Sequence, residues 1–217
     1  MTERAIGDLR NAHEGHDIYI VASGPTAGFI DPAFFDNKIA IGVNEVWHTF
    51  RNLDYLVRKE ARNSQAAYAS GVPMIVSRHN CGNTSYALNR FEGERDYYVF
   101  DHLDNGLQDI DLSIISLTGD LIVVSYSTIT SAIHIAAVMG AANIILVGAD
   151  CGTLDGKVNI TGYPPSILGD EFYRTFITQI EPQTAAVRDR IKEVYGCNLY
   201  SLNPFLNLGL EGHKYER

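Results

Sequence analysis

Several short stretches of this chain bring together residue types that can hold or activate a charged ligand. Ser23-Gly24-Pro25-Thr26 follows an apolar run. Gly24 admits torsions or a close approach that a side chain blocks, Pro25 suits the first position of a turn or short helix, and the hydroxyls of Ser23 and Thr26 can hold a phosphate or a ribose. The same residues also make an ordinary tight strand-to-helix turn. Asn44 closes the run Ile39–Val43. Its amide both donates and accepts, as reading a base or sugar edge requires, and it is equally a cap for a helix over Glu45–Phe50. Arg58-Lys59-Glu60 reads either as a place for Lys59 to meet a phosphate or as a solvated charge run. Thr130-Ser131, with His134 one turn on, puts hydroxyls where a helix dipole favours an anion; the alternative is simple capping and a satisfied core histidine. Gly148-Ala149-Asp150 ends a second apolar run. Its carboxylate can accept a ribose hydroxyl, coordinate Mg2+, act as a base, or cap a turn. Tyr163 lies in a Gly- and Pro-containing loop that can fold over a ligand.

These residues need elements to carry them. Apolar runs recur at Asp17–Val21, Ile39–Val43, Asp54–Val57, Met74–Val76, Tyr97–Phe100, Leu121–Val124, Ile144–Val147 and Leu199–Ser201. They are rich in Ile and Val with little polar alternation, as expected of parallel strands covered on both faces. Helices are predicted between them. Arg62–Ser70 is polar, Ser131–Met139 is apolar nearly all round with Gly140 as its stop, and Gln183–Tyr195 is amphipathic. The alternation predicts one α/β domain over 1–217. Its sheet is Rossmann-like, doubly wound and mostly parallel, with helices on both faces. Within it, 80–120 reads as an insertion and 152–182 as a lid. In such sheets the glycine-terminated carboxyl ends of Asp17–Val21 and Ile144–Val147 face the ligand crevice.

Bulk properties narrow the classes. The chain has 217 residues and a net charge of −9, with 17 Lys and Arg against 26 Asp and Glu and no basic run, so broad nucleic-acid binding is not expected. Cys81, Cys151 and Cys197 are widely spaced, which suggests neither a disulfide framework nor a zinc site and fits a reducing cytoplasm. Met1–Asp17 is polar, carries both charge signs and does not read as a signal peptide. The most apolar stretch, Ala132–Val147, is broken by His134, Gly140 and Asn143, so no membrane span is expected. A homo-oligomer is expected on general grounds.

With Ser23-Gly24-Pro25-Thr26, Asn44, Ile129-Thr130-Ser131 and Ile145–Asp150 in view, the chain resembles the bacterial sialyltransferases of the Campylobacter type. It also resembles the wider group with motility-associated glycosyltransferase-like proteins and archaeal-type 6-hydroxymethylpterin diphosphokinases. Those families share a strand followed by Gly-Pro-Ser/Thr, a strand ending in Asn, an Ile-Thr-Ser helix start and a strand ending in Gly-x-Asp; Val187–Leu202 matches their last helix and strand. The resemblance implies a glycosyltransferase that takes a nucleotide sugar, CMP-linked, and passes the sugar (of the sialic-acid type) to an acceptor hydroxyl without an obligatory metal. It implies Ser23, Gly24, Asn44, Thr130, Ser131, Gly148 and Asp150 around the nucleotide. The family's lid histidine base falls near Gln179, which cannot take a proton, leaving Glu181, His134 and Asp150 as candidate bases. An arginine of the family is Thr128 here, and an asparagine corresponds to Lys59. Two further readings follow from the same group: a Mg2+-dependent diphosphokinase acting on a pterin-like alcohol, with Asp150 on the metal and Lys59 on phosphate, or a nucleotide-binding module without catalysis.

Overall fold

The computed structural model describes residues 3–59, 64–78, 95–103, 111–125, 127–164 and 169–202. Among them the strands are β1 (Glu3–Ala5), β2 (Asp17–Val21), β3 (Ile39–Val43), β4 (Tyr55–Arg58), β5 (Met74–Ser77), β6 (Tyr97–Phe100), β7 (Asn143–Val147) and β8 (Asn198–Ser201). The α-helices are α1 (Ser64–Ala69), α2 (Thr128–Val138) and α3 (Gly169–Tyr195). The strands form one eight-stranded sheet in the order β1-β6-β5-β4-β3-β2-β7-β8, every pair parallel. From β2 the chain steps outward through β3 to β6, then returns to the other side of β2 as β7. The winding therefore reverses between β2 and β7, where open α/β sheets place ligands outside the carboxyl ends of their strands. Register levels those ends: Val21 pairs with Gly42 on one side and Val147 on the other.

Both faces of the sheet are buried. On one, Ile18, Ile20, Ile41, Val57, Ile75, Ile144 and Leu146 pack against α2 and against Val187 and Ile191 of α3. Each such side chain stabilises the fold by about 1.5–3 kcal/mol. All of α2 is buried, which explains its apolar character on every side. On the opposite face, Val21, Ala40, Leu56, Met74 and Val147 pack under Phe35, Trp47, Phe50, Ala67 and Tyr68. This cover comes from α1 and from the 3-10 turns Pro25–Phe29, Pro32–Phe35 and Val46–His48.

Three expectations are corrected, and one strand is found that the sequence pattern does not predict. Leu121–Val124 is not a sheet strand. Only Leu121 bridges to Asp101, and the rest of the segment runs beneath α2 with Ile122, Val123 and Val124 fully buried. Conversely β1 carries no apolar pattern, since all its residues are exposed. Strand pairing with β6 and the ion pairs Arg4–Asp96 at 2.9 Å and Glu3–Arg78 at 2.6 Å hold it. Helix α2 begins at Thr128 rather than Ser131, capped by Ser127, whose hydroxyl accepts from the Ile129 N–H at 3.2 Å. Helix α3 begins at Gly169 rather than Gln183 and runs through Pro182. Of the expected insertion, residues 80–94 and 104–110, and with them Cys81, lie outside the described residues. So do Glu60, the start of the helix expected at Arg62–Ser70, and residues 165–168 of the expected lid; residues 169–182 belong to α3. Among the described residues no helix is long and apolar enough to cross a membrane.

Candidate functional site

A cleft opens at the reversal point. Ala22, Ser23 and Gly24 come from the end of β2 and Val43 and Asn44 from the end of β3. Gly148–Gly152 continues β7, Ser127 caps α2 and Ile129 lies in its first turn, and Val158 and Ile180 close it from the following loop and from α3. Its empty space is about 450 Å³, a figure that includes open solvent at the mouth.

The wall between β2 and β7 is two interlocked turns. The Gly24 N–H donates to the Gly148 carbonyl at 2.8 Å. A side chain at Gly24 would land on that carbonyl and come within 2.6 Å of the Asp150 carboxyl carbon. Gly148 has φ +67, and a Cβ there would lie 2.6 Å from Ala27 Cβ. Both glycines are thus required by packing of protein on protein. Asp150 is buried and caps the 3-10 turn after β2: Oδ2 accepts from the Thr26 N–H at 2.7 Å and Oδ1 accepts from the Thr26 hydroxyl. Burial raises its pKa, against the lowering effect of the Thr26 hydrogen bonds. Pro25 leads that turn at its first position.

Asn44 sits on the other wall in the left-handed region, φ +57, a conformation asparagine tolerates. Asn44 lines the cleft, and its side chain makes no hydrogen bond among the described residues. The helix expected over Glu45–Phe50 is a single 3-10 turn, Val46–His48, with Glu45 rather than Asn44 in the capping position and no side-chain cap bond. The loop after β7 is strapped across Ser23: the Ser23 hydroxyl donates to Asn159 Oδ1 at 2.8 Å, and the Ile160 N–H donates to the Ser23 carbonyl at 2.8 Å. Tyr163 is half-buried, its N–H donates to the Ile160 carbonyl at 3.2 Å and its pKa is raised by burial; it is not among the residues that line the cleft.

Thr130, Ser131, His134 and Lys59 do not line the cleft; all four dock residues 123–125 onto the core. The Ser131 hydroxyl donates to the Val123 carbonyl at 2.8 Å, and His134 Nδ1 accepts the Val123 N–H at 3.1 Å. One face of α2 thereby satisfies both polar groups of a buried residue that has no ladder partner. The Thr130 hydroxyl donates to the Ser127 carbonyl at 2.8 Å and lies 3.0 Å from the Ser125 hydroxyl, while Lys59 Nζ donates to the Ser125 carbonyl at 3.1 Å. Burial, with the Arg10 charge nearby, pushes the His134 pKa down to about 3, so the ring is neutral at physiological pH.

Glu181 is exposed on α3, next to Ile180 of the cleft. It lies close enough to Cys151 that its charge, after burial, helps push that thiol up to about 12. Among the described residues no group of three His, Cys, Asp or Glu side chains is placed to hold a metal ion. Sequence reasoning missed Ser127, Ile129, Cys151, Val158 and Ile180. For Ser127 a signal existed, since a serine two residues before Ile129 is a preferred helix cap; the apolar members carried none.

No known family profile and no curated protein matches the chain. Among solved structures it is similar to an alpha-2,3-sialyltransferase from Campylobacter jejuni in apo form, with 13% identity and a TM-score of 0.47 over 97% of this chain and 84% of that one.

Proposed function

We propose that the cleft binds the nucleotide of a CMP-linked sugar and that the chain transfers the sugar to an acceptor hydroxyl. One observation carries the reading: the ends of β2, β3 and β7 and the first turn of α2 open into the same cleft at the point where the winding reverses. The motif resemblance supplies the substrate class. The phosphate lies at the N-terminus of α2, beside Ser127, where backbone N–H groups and the helix dipole favour negative charge. Asn44 reads the base or ribose edge. Ser23, Gly24 and the Gly148–Asp150 turn shape the opposite wall.

In the transfer, the bond between the anomeric carbon and the CMP phosphate oxygen breaks. Its electron pair leaves on the phosphate, where the helix end stabilises it. The acceptor oxygen bonds to the anomeric carbon and its proton passes to the Glu181 carboxylate. Glu181 is preferred as base because the Asp150 oxygens are engaged by Thr26 and His134 Nδ1 by Val123. No obligatory metal is part of the reading.

A thermal-shift series with CMP, UDP, GDP and ATP, with and without Mg2+, followed by turnover of CMP-sugars, tests this. The expected result is stabilisation by CMP independent of Mg2+, and a turnover that Glu181→Gln lowers about 10²–10⁴-fold while CMP affinity holds. Strict Mg2+ dependence with ATP preference indicates the diphosphokinase reading. Tight binding without turnover of any donor indicates a binding module. No nucleotide response overturns the proposal.

A further inference from the structure

Directly behind Asn44 lies a charged network that none of the steps above uses. Arg58 is fully buried and Glu45 is 2% exposed. Arg58 Nη2 donates to Glu45 Oε1 at 2.7 Å, while its other arm, Nη1, donates to the Asn44 carbonyl at 3.2 Å. Trp47 Nε1 donates to Glu45 Oε2 at 3.0 Å, and His48 Nε2 lies 3.4 Å from the same oxygen. The Asn44 N–H is fixed separately, donating to the Val57 carbonyl at 3.0 Å. Asn44, a residue of the cleft lining, is therefore gripped at both its peptide groups in a left-handed conformation, while its side-chain amide makes no hydrogen bond among the described residues.

Burying an ion pair removes two charges from water, and apolar residues of the same volume often stabilise a fold as well or better. Stability alone gives little reason for a guanidinium here. Its two-armed geometry does, because one planar group spans the Glu45 carboxylate and the Asn44 carbonyl together. We propose that Arg58, clamped by Glu45, is a positioning residue that aims the Asn44 amide at the bound nucleotide. The inference rests on the nucleotide reading of the cleft.

Arg58→Lys separates aiming from folding. Lysine keeps a cation for Glu45 but cannot span both acceptors, so the chain folds while Asn44 loses its carbonyl restraint. CMP affinity is measured by calorimetry for wild type, Asn44→Ala, Arg58→Lys and the double variant, with melting points recorded beside them. The expected result is about a tenfold loss in each single variant, the scale of one hydrogen bond to ligand, and no further loss in the double, the non-additivity of residues acting as a unit. Glu45→Gln, which keeps shape and frees the clamp, is expected to weaken CMP in the same direction. If Arg58→Lys lowers the melting point yet binds CMP as wild type does, or if the two losses add, the positioning role is overturned and the nucleotide reading stands. If wild type itself binds no CMP, the nucleotide reading fails and takes this inference with it.

Discussion

Gly24 has an ordinary backbone, φ −59, so its need for glycine is not conformational. It is steric: the Gly148 carbonyl and the Asp150 carboxyl occupy the place of a side chain. Gly24→Ala is expected to cost about 2–3 kcal/mol by overpacking, read as a lower urea midpoint with unchanged slope, and to abolish nucleotide binding by prying β2 from β7. An alanine variant with an unchanged midpoint rules out that close approach. Asp150 is tested differently. In Asp150→Asn the remaining oxygen accepts the Thr26 N–H and the new amide donates to the Thr26 hydroxyl, so the cap survives. Because burial raises the native pKa above the unfolded 3.8, the native state binds more protons between those values, and stability falls as pH rises through that window. The asparagine variant lacks this slope and is expected to match or exceed wild-type stability at pH 7 while retaining turnover. Loss of turnover with the cap intact would make Asp150 the base instead of Glu181. Residue identity at the cleft was legible where a residue ends a strand, as for Ser23, Asn44 and Asp150. It was not legible at Thr130 and Ser131, because three residues of error in a helix start turn hydroxyls from the cleft to the core.

At the scale of elements, a run of Leu-Ile-Val-Val announces burial but not a ladder partner: the Ile122 N–H donates to the Asp101 carbonyl, and Val123 is held by Ser131 and His134 of α2. Sequence patterning places β2, β3, β5, β6 and β7 because their apolar periodicity and their pairing coincide. It misses β1, which charge pairs hold, and shortens α3, because Pro182 reads as a breaker although the helix runs through it. The α2 clamp also makes the fold sensitive to acid. His134 is neutral in the native state, with a pKa of about 3, against 6.5 when exposed by unfolding. Between these values the unfolded chain binds the extra proton, so the stability contribution is complete above about pH 6.5 and is lost as pH falls. At pH 5 the loss is about 2 kcal/mol. His134→Asn keeps an acceptor for the Val123 N–H and does not titrate. Its stability deficit against wild type should therefore shrink by about that amount between pH 7 and pH 5 in parallel urea titrations. Parallel curves at the two pH values would refute the neutral buried ring.

At the scale of the molecule, the cleft draws on three neighbouring strands, both long helices and the loop strapped over Ser23, whereas β1 and β6 stand at the far edge of the sheet. A ligand seated there binds the native state alone and stabilises the cooperative unit by about 2.7 kcal/mol at a hundredfold excess over its dissociation constant. Local opening, however, has its own free energy in each part of a fold. Hydrogen exchange under native conditions should thus show added protection from CMP at residues 22–24, 43–44, 127–130 and 148–152. Amides of β1 and β6 should exchange by local opening at an unchanged rate. The pattern follows from the winding: the strands that meet at the reversal point share the ligand, and the outer strands, reached before the chain turns back, do not. Protection confined to the β5–β6 end of the sheet would place the nucleotide away from the reversal point and refute the cleft as its site.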